Sequence, residues 1–326
     1  MTYFGDSKSK PGKMKLVFMG SPEFAVNCLE KIHHSTHEIL AVVTVPDKAQ
    51  GRGKKVQPSP VKMAAEKLGY PILQPENLKS PDFKAEIERL NPELIVVVAF
   101  RILPESIFTI PVFGTVNIHA SLLPKYRGAA PINHALLNGD TVTGVTSFYI
   151  TEQVDAGTIL LQKEITILPD DNFETLYNKL AKLGAELIVE TLDQLDGDGI
   201  AFKVQRPEEV SSAPKINRDM CMIDWSKPGE SIVNQVRAFS PKPAAFTYLN
   251  SNQFKIIKAR FQPGDEFANS KNGEIVISTK KEIAIKCSNG LIYPEIIQMQ
   301  GKKEMPVNAF LNGYPLETGT ILNGDQ

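Results

Sequence analysis

Residues 114–131 read GTVNIHASLLPKYRGAAP. Val116 and Ile118 alternate with Asn117 and His119, so a strand here turns its apolar pair to the core and its polar pair together to the opposite face. The strand is expected to break at Ser121-Leu122-Leu123-Pro124, because Pro124 cannot donate to a ladder and biases the residue before it away from helix. An amide beside an imidazole at a strand's carboxyl end is where an open α/β sheet carries its chemistry. The same spacing also suits two hydrogen-bonded polar residues that merely finish a strand.

Working outward, residues 94–100 (LIVVVAF) form a continuous apolar run, the pattern of a central strand buried on both faces. Residues 15–19 and 39–45 read as further strands. Between them Ser21 is a good N-cap with Pro22 at the first helical position, and Ala25, Cys28, Leu29 and Ile32 fall at helical spacing. Residues 61–68 read as a helix stopped by Gly69, and 75–90 as further helical turns. Downstream come a helix at 129–138, strands at 142–151 and 158–167, and a long amphipathic helix at 173–195. This alternation predicts an α/β fold with a doubly wound, mainly parallel, Rossmann-like sheet. Residues 196–214 shift to Gly, Pro, Ser and charge, the composition of a linker. Beyond it, a helix near 231–239 and short strands at 245–249, 254–260, 274–278, 282–286 and 291–299 predict a small β-barrel. The expected division is a disordered leader at 1–13, a first domain at 14–195, a linker at 196–214 and a second domain at 215–326.

Composition removes several classes of function. With 326 residues, two domains are the expectation, and a formal net charge of -1 argues against binding nucleic acid by bulk charge. Cys28, Cys221 and Cys287 are too widely spaced for a zinc pattern or a disulfide framework, as suits reduced thiols in a cytoplasmic protein. Residues 1–13 lack an apolar run and so do not read as a signal peptide. No stretch approaches the roughly 18 apolar residues of a membrane span. GSPEF, residues 20–24, has one glycine where a dinucleotide fingerprint wants three, which excludes a nicotinamide cofactor. His33, His34 and His37 read as a solvated turn and not as a metal site, since no carboxylate or thiol accompanies them at ligand spacing. Residues 46–60 are long for a βα connection, and Lys48, Arg52, Lys54 and Lys55 make them cationic.

The segment HASLLPKYRGAAPI, residues 119–132, resembles the signature of the formyltetrahydrofolate-dependent formyltransferases, whose core reads Asn-x-His-x-Ser-Leu-Leu-Pro. The Arg-Gly-Ala-Ala-Pro-Ile continuation resembles the branch that formylates methionyl-tRNA, and the likeness covers the chain from about Met14 onward. The family's third catalytic residue is an aspartate in a Val/Leu-Asp-x-Gly context, which Val154-Asp155-Ala156-Gly157 matches. The resemblance implies Asn117, His119 and Asp155 as catalytic residues, 10-formyltetrahydrofolate as formyl donor and the α-amine of initiator methionyl-tRNA as acceptor. No metal, no membrane and no obligatory protein partner are expected.

The resemblance also implies that Ser121, Leu122, Leu123 and Pro124 line the folate site, the alternative being a purely structural turn. Phe100 and Ile102 would join them, in a segment one residue shorter than the Tyr-Gly-Leu-Ile-Leu-Pro of many relatives. Gly51-Arg52-Gly53-Lys54-Lys55 matches the inserted loop that reaches the tRNA acceptor stem, which makes Arg52, Lys54 and Lys55 candidate tRNA contacts. The second domain would resemble an OB-fold that contacts tRNA. Formyl transfer would use the Asn117 amide as an oxyanion donor and His119 as a second donor or proton carrier. Asp155 would support the imidazole or hold a relaying water. Rival readings are a formyltransferase for a small amine (a sugar nucleotide or glycinamide ribonucleotide), a formyltetrahydrofolate hydrolase, and an RNA-binding module with a decayed site. The cationic loop and second domain disfavour the first two. The presence of all three catalytic residue types disfavours the third.

Overall fold

A computed structural model describes residues 13–50, 55–196 and 201–322. The expectations for residues 1–12, for Arg52 and Lys54, and for the Lys55 side chain lie outside the described residues. Two compact units form: Met1–Gly128, Thr143–Ile165 and Tyr177–Ser212 make the first, and Ala129–Val142, Thr166–Leu176 and Ala213–Gln326 the second.

The chain begins with β1 (Lys15–Gly20), α1 (Glu23–His33), β2 (Glu38–Val43), and the short strands β3 (Lys48–Gln50) and β4 (Lys55–Gln57). There follow α2 (Pro60–Leu68), β5 (Ile72–Leu73), α3 (Pro81–Leu90), β6 (Leu94–Val98), α4 (Glu105–Phe108) and β7 (Thr115–His119). Next come α5 (Pro131–Leu137), β8 (Val142–Tyr149), β9 (Ile159–Thr166) and α6 (Phe173–Asp196). The sheet runs β5-β2-β1-β6-β7-β8-β9. Strands β5, β2, β1, β6 and β7 pair in parallel, and β8 lies antiparallel to β7. The order moves from β1 outward in both directions, so a topological switch point falls between β1 and β6. All five residues of β6 are buried, as its unbroken LIVVV requires of a strand covered on both faces. One layer of core joins Val17, Met19, Val43, Ile95 and Val97 to Phe83 and Ile87 of α3 and Ile107 of α4.

Within the second unit, α7 (Gly229–Phe239) is followed by β10 (Ala245–Leu249), β11 (Asn252–Pro263), β12 (Ile275–Ser278), β13 (Ile283–Cys287), β14 (Gly290–Met299), β15 (Met305–Pro306) and α8 (Val307–Gly313). The sheet is antiparallel, ordered β10-β11-β14-β13-β12, with β15 on β14. All five strands read from the sequence are present, because turn residues separate their apolar runs.

Local departures from the expected elements have identifiable causes. Ser21 does not cap α1: the helix starts at Glu23, which puts Pro22 at the cap and leaves the Ser21 hydroxyl one residue too early. The Tyr177 hydroxyl instead accepts from the Phe24 N–H at 2.7 Å. Residues 75–80 are not helical, because the Asn77 side chain takes the Lys79 N–H at 2.9 Å and α3 waits for its Ser80 cap and Pro81. His37 is not in a solvated turn: it is 7% exposed, with Nε2 3.2 Å from Asp193 Oδ1 on α6. The base of the cationic segment is anchored where Lys62 Nζ and Gln74 Nε2 donate to Asp47 at 2.6 and 2.8 Å. Those hydrogen bonds, Lys62 first, hold the Asp47 carboxyl below the usual range. Among the described residues no helix is long and apolar enough to cross a membrane. None of their His, Cys, Asp and Glu side chains cluster in a group able to hold a metal ion.

Candidate active site

Strand β7 ends at His119, and Asn117 lies two residues back on the same face, about 6–7 Å along the strand. His119 is 6% exposed and meets the Phe148 ring edge-on at 6.4 Å. Its Nε2 lies 2.8 Å from the Tyr126 carbonyl oxygen. A carbonyl only accepts, so Nε2 carries a proton and donates it there. In the neutral ring Nδ1 is then a lone-pair acceptor, and it faces Asp155 Oδ2 at 3.8 Å. That distance exceeds a hydrogen bond. Asp155 Oδ2 instead accepts from the Gly128 N–H at 2.8 Å. Two acceptors separated by 3.8 Å can both be reached by one N–H or O–H group placed about 2.8 Å from each. The arrangement can therefore receive a proton from an amine or hold a water.

The turn after β7 is supported from β8 and β9. Thr146 Oγ1 donates to the Ser121 carbonyl at 2.7 Å and accepts from the Leu123 N–H at 3.1 Å. Gln162 Nε2 donates to the Leu123 carbonyl and to Thr146 Oγ1, both at 2.9 Å. Ser121, Leu123 and Pro124 are interior, with Leu123 packed on Phe148 and Ile159 and a cis Leu123–Pro124 bond. Leu122 stays half-buried. Of the remaining candidates, Phe100 is half-buried against the Val97 layer and Ile102 is 79% exposed.

Three non-glycine residues at these turns have left-handed backbone: Ala99 (φ 47°) after β6, Tyr126 (φ 62°), and Asp155 (φ 52°). Such conformations cost free energy and persist where surrounding contacts over-determine them. Gly157 is one such constraint, since a Cβ there would lie 1.6 Å from the Tyr149 carbonyl oxygen. Gly157→Ala should cost about 1–3 kcal/mol through forced overpacking and shift the Asp155 turn. Thermal unfolding and turnover measured on the same preparation would check this, and a wild-type melting profile would contradict it.

Four participants had no role assigned from the sequence, although Arg127 and Gly128 open the Arg-Gly-Ala-Ala-Pro-Ile continuation. The Tyr126 carbonyl and Gly128 N–H are backbone groups, which residue identity does not announce. Arg127 and Gln205 are bonded to each other, with Gln205 Oε1 accepting from Nε at 3.0 Å and Nη2 at 2.7 Å. Gln205 sits in a stretch whose composition reads as a linker, so no signal drew attention to it.

Comparison with known proteins bears on both units. The family model described as formyl transferase matches residues 14–192, and that described as formyl transferase, C-terminal domain, matches 215–315. A methionyl-tRNA formyltransferase of Caldanaerobacter subterraneus subsp. tengcongensis is 44% identical over 311 residues, covering 95% of this chain and 100% of that protein. The methionyl-tRNA formyltransferase of Porphyromonas gingivalis is 42% identical over 318 residues, 95% of this chain and 98% of its own. Among solved structures, WlaRD, a sugar 3N-formyl transferase, superposes with a TM-score of 0.63 at 22% identity over 89% of this chain and 99% of that one. HypX from Aquifex aeolicus in complex with tetrahydrofolic acid gives a TM-score of 0.62 at 16% identity, over 96% and 51%. At such identities these two speak for the fold alone. With family models matching in both units and a relative 44% identical over 95% of this chain, the chain belongs to the formyl transferase family.

Proposed function

We propose that this enzyme transfers the formyl group of 10-formyltetrahydrofolate to the α-amine of initiator methionyl-tRNA, giving formylmethionyl-tRNA for translation initiation. The observation that carries the reading is the 44% identity to a methionyl-tRNA formyltransferase running along 95% of the chain. The sugar-modifying neighbour, by contrast, shares 22%.

The donor's chemistry fits the residues present. Leu122, Phe100 and the exposed Ile102 offer apolar surface to a planar, partly apolar group, and the Ser121–Pro124 turn is rigidly backed. In the reaction the amine nitrogen bonds to the formyl carbon, the bond from that carbon to the folate nitrogen breaks, and the proton lost by the amine ends on that nitrogen. An α-amine titrates near about 7.7–8.0, so it needs no strong base to be neutral. Asn117 donates to the formyl oxygen as charge grows on it. His119 Nδ1, free of its own proton because Nε2 is committed to Tyr126, takes the amine proton and delivers it to the leaving nitrogen. Asp155, 3.8 Å away, stabilises the imidazolium that forms between these steps.

Incubation with 10-formyltetrahydrofolate and charged initiator tRNA, with an amino-sugar nucleotide, with glycinamide ribonucleotide, and with no acceptor tests the reading directly. Formyl should appear on methionyl-tRNA. Transfer to a small amine alone, or release of formate without an acceptor, would overturn it.

The cationic segment is assigned to the acceptor RNA. Arg52→Ala should raise KM for tRNA several-fold while leaving kcat near wild type, and should lower the slope of log KM against log salt by about 1, as loss of one phosphate contact does. Unchanged dependence on tRNA concentration and salt would exclude Arg52 from that surface.

A further inference from the structure

Within residues 201–212, which are otherwise mostly exposed, the Gln205 side chain turns into the first unit. Gln205 is 6% exposed and uses its whole amide. Nε2 donates to the Asp155 carbonyl at 2.9 Å and to the Gly157 carbonyl at 2.8 Å, while Oε1 accepts from Nε and Nη2 of the Arg127 guanidinium. The same segment holds the other turn. The Arg127 N–H donates to the Ser211 carbonyl and the Tyr126 N–H to Ser211 Oγ, each at 2.9 Å. Lys203 and Ile159 exchange backbone hydrogen bonds at 2.9 and 3.0 Å, which fixes the register of the segment against β9.

The consequence is a bridge. One turn presents the Asp155 carboxylate, and the other presents the Tyr126 carbonyl that sets which nitrogen of His119 is free. Tyr126 and Asp155 are both in left-handed backbone, so neither turn is at its intrinsic minimum. We propose that Gln205 is a positioning residue for formyl transfer: by bonding the Asp155–Gly157 turn and Arg127 at once, it holds the gap between His119 Nδ1 and Asp155 Oδ2 at the width one substrate N–H can span. The inference rests on the roles given above to His119 and Asp155.

The chemistry of the position calls for a neutral amide. Two carbonyl oxygens must receive hydrogens on one side, and a guanidinium must be accepted on the other. A carboxylate would satisfy Arg127 but face the two carbonyls with lone pairs. An ammonium would satisfy the carbonyls but repel Arg127. A misplacement near 1 Å costs roughly 10²-fold in turnover when it falls on reacting groups.

The test uses full-length Gln205→Ala and Gln205→Glu, with Arg127→Lys loosening the bridge from its other end. Kinetics are normalised to folded protein by thermal unfolding. The expected result is a kcat lower by roughly 10- to 100-fold with KM for folate and tRNA within about threefold. In nitrogen-15 spectra of the histidines, the His119 ring resonances, assigned by loss in His119→Gln, should shift. Those of His33, His34, His37 and His134 should stay in place. Gln205→Glu keeps the side-chain shape and the Arg127 contact, so it supplies the measurement should Gln205→Ala not fold. Lower thermal stability with unchanged kcat per folded molecule and unchanged His119 resonances would overturn the proposal, leaving Gln205 a purely structural residue. If His119→Gln itself leaves formyl transfer intact, the failure lies with the catalytic reading and not with the bridge, which the spectra report independently of turnover.

Discussion

Replacing Asn117 with alanine should lower kcat by about 10²–10³-fold, the loss that follows removal of one preorganised donor from a developing oxyanion, or about 2.7–4 kcal/mol. The magnitude follows from where Asn117 sits. It projects from the interior of β7, flanked in register by Val97 of β6 and Phe148 of β8, so its direction is set by a paired backbone and not by a loop. Among the described residues the hydrogen bonds of the site run through His119 and Asp155 and leave the Asn117 amide uncommitted. A donor held this way pays little reorganisation when charge appears. Asn117→Asp should be at least as severe, since it sets an ionised acceptor against the forming charge. Single-turnover rates with saturating folate and methionyl-tRNA would measure both, and a rate within tenfold of wild type for the alanine variant would remove Asn117 from the chemistry.

His119→Gln should lower kcat by about 10²–10⁴-fold, the range for a positioned proton-transfer group. Glutamine can still donate to the Tyr126 carbonyl in place of Nε2, so the fold around the turn survives, but it has no counterpart to the Nδ1 lone pair. Asp155→Asn is the companion. Its amide oxygen still accepts from the Gly128 N–H, and what is lost is the charge beside the imidazolium. The double variant should fall far short of the product of the two single losses, because the groups act as one unit. Equal melting temperatures together with retained turnover in His119→Gln would show that another group carries the proton.

Much of the first unit was legible in advance because its signals are local. The run LIVVV states that β6 is central, and Gly69 supplies the left-handed cap that stops α2, whereas the Ser80–Pro81 start of α3 lies inside the stretch 75–90 that reads as helical throughout. Where local signals compete, the reading failed. Ser21 is a good cap residue, yet α1 begins one residue beyond its reach and the Tyr177 hydroxyl of α6 serves the Phe24 amide instead. His37 carries no mark of burial until Asp193, distant in sequence, is folded beside it.

The site divides along the same line. The residue types at 117, 119 and 155 and the strand that carries the first two are properties of the sequence, because alternation along β7 and the position of Pro124 are set by the chain itself. The proton on Nε2 of His119, the 3.8 Å opening to Asp155, and the burial of Gln205 in a segment of linker-like composition were decided only in three dimensions. Each depends on a backbone carbonyl or amide. Such groups are common to every residue, and only folding determines which of them face a given side chain.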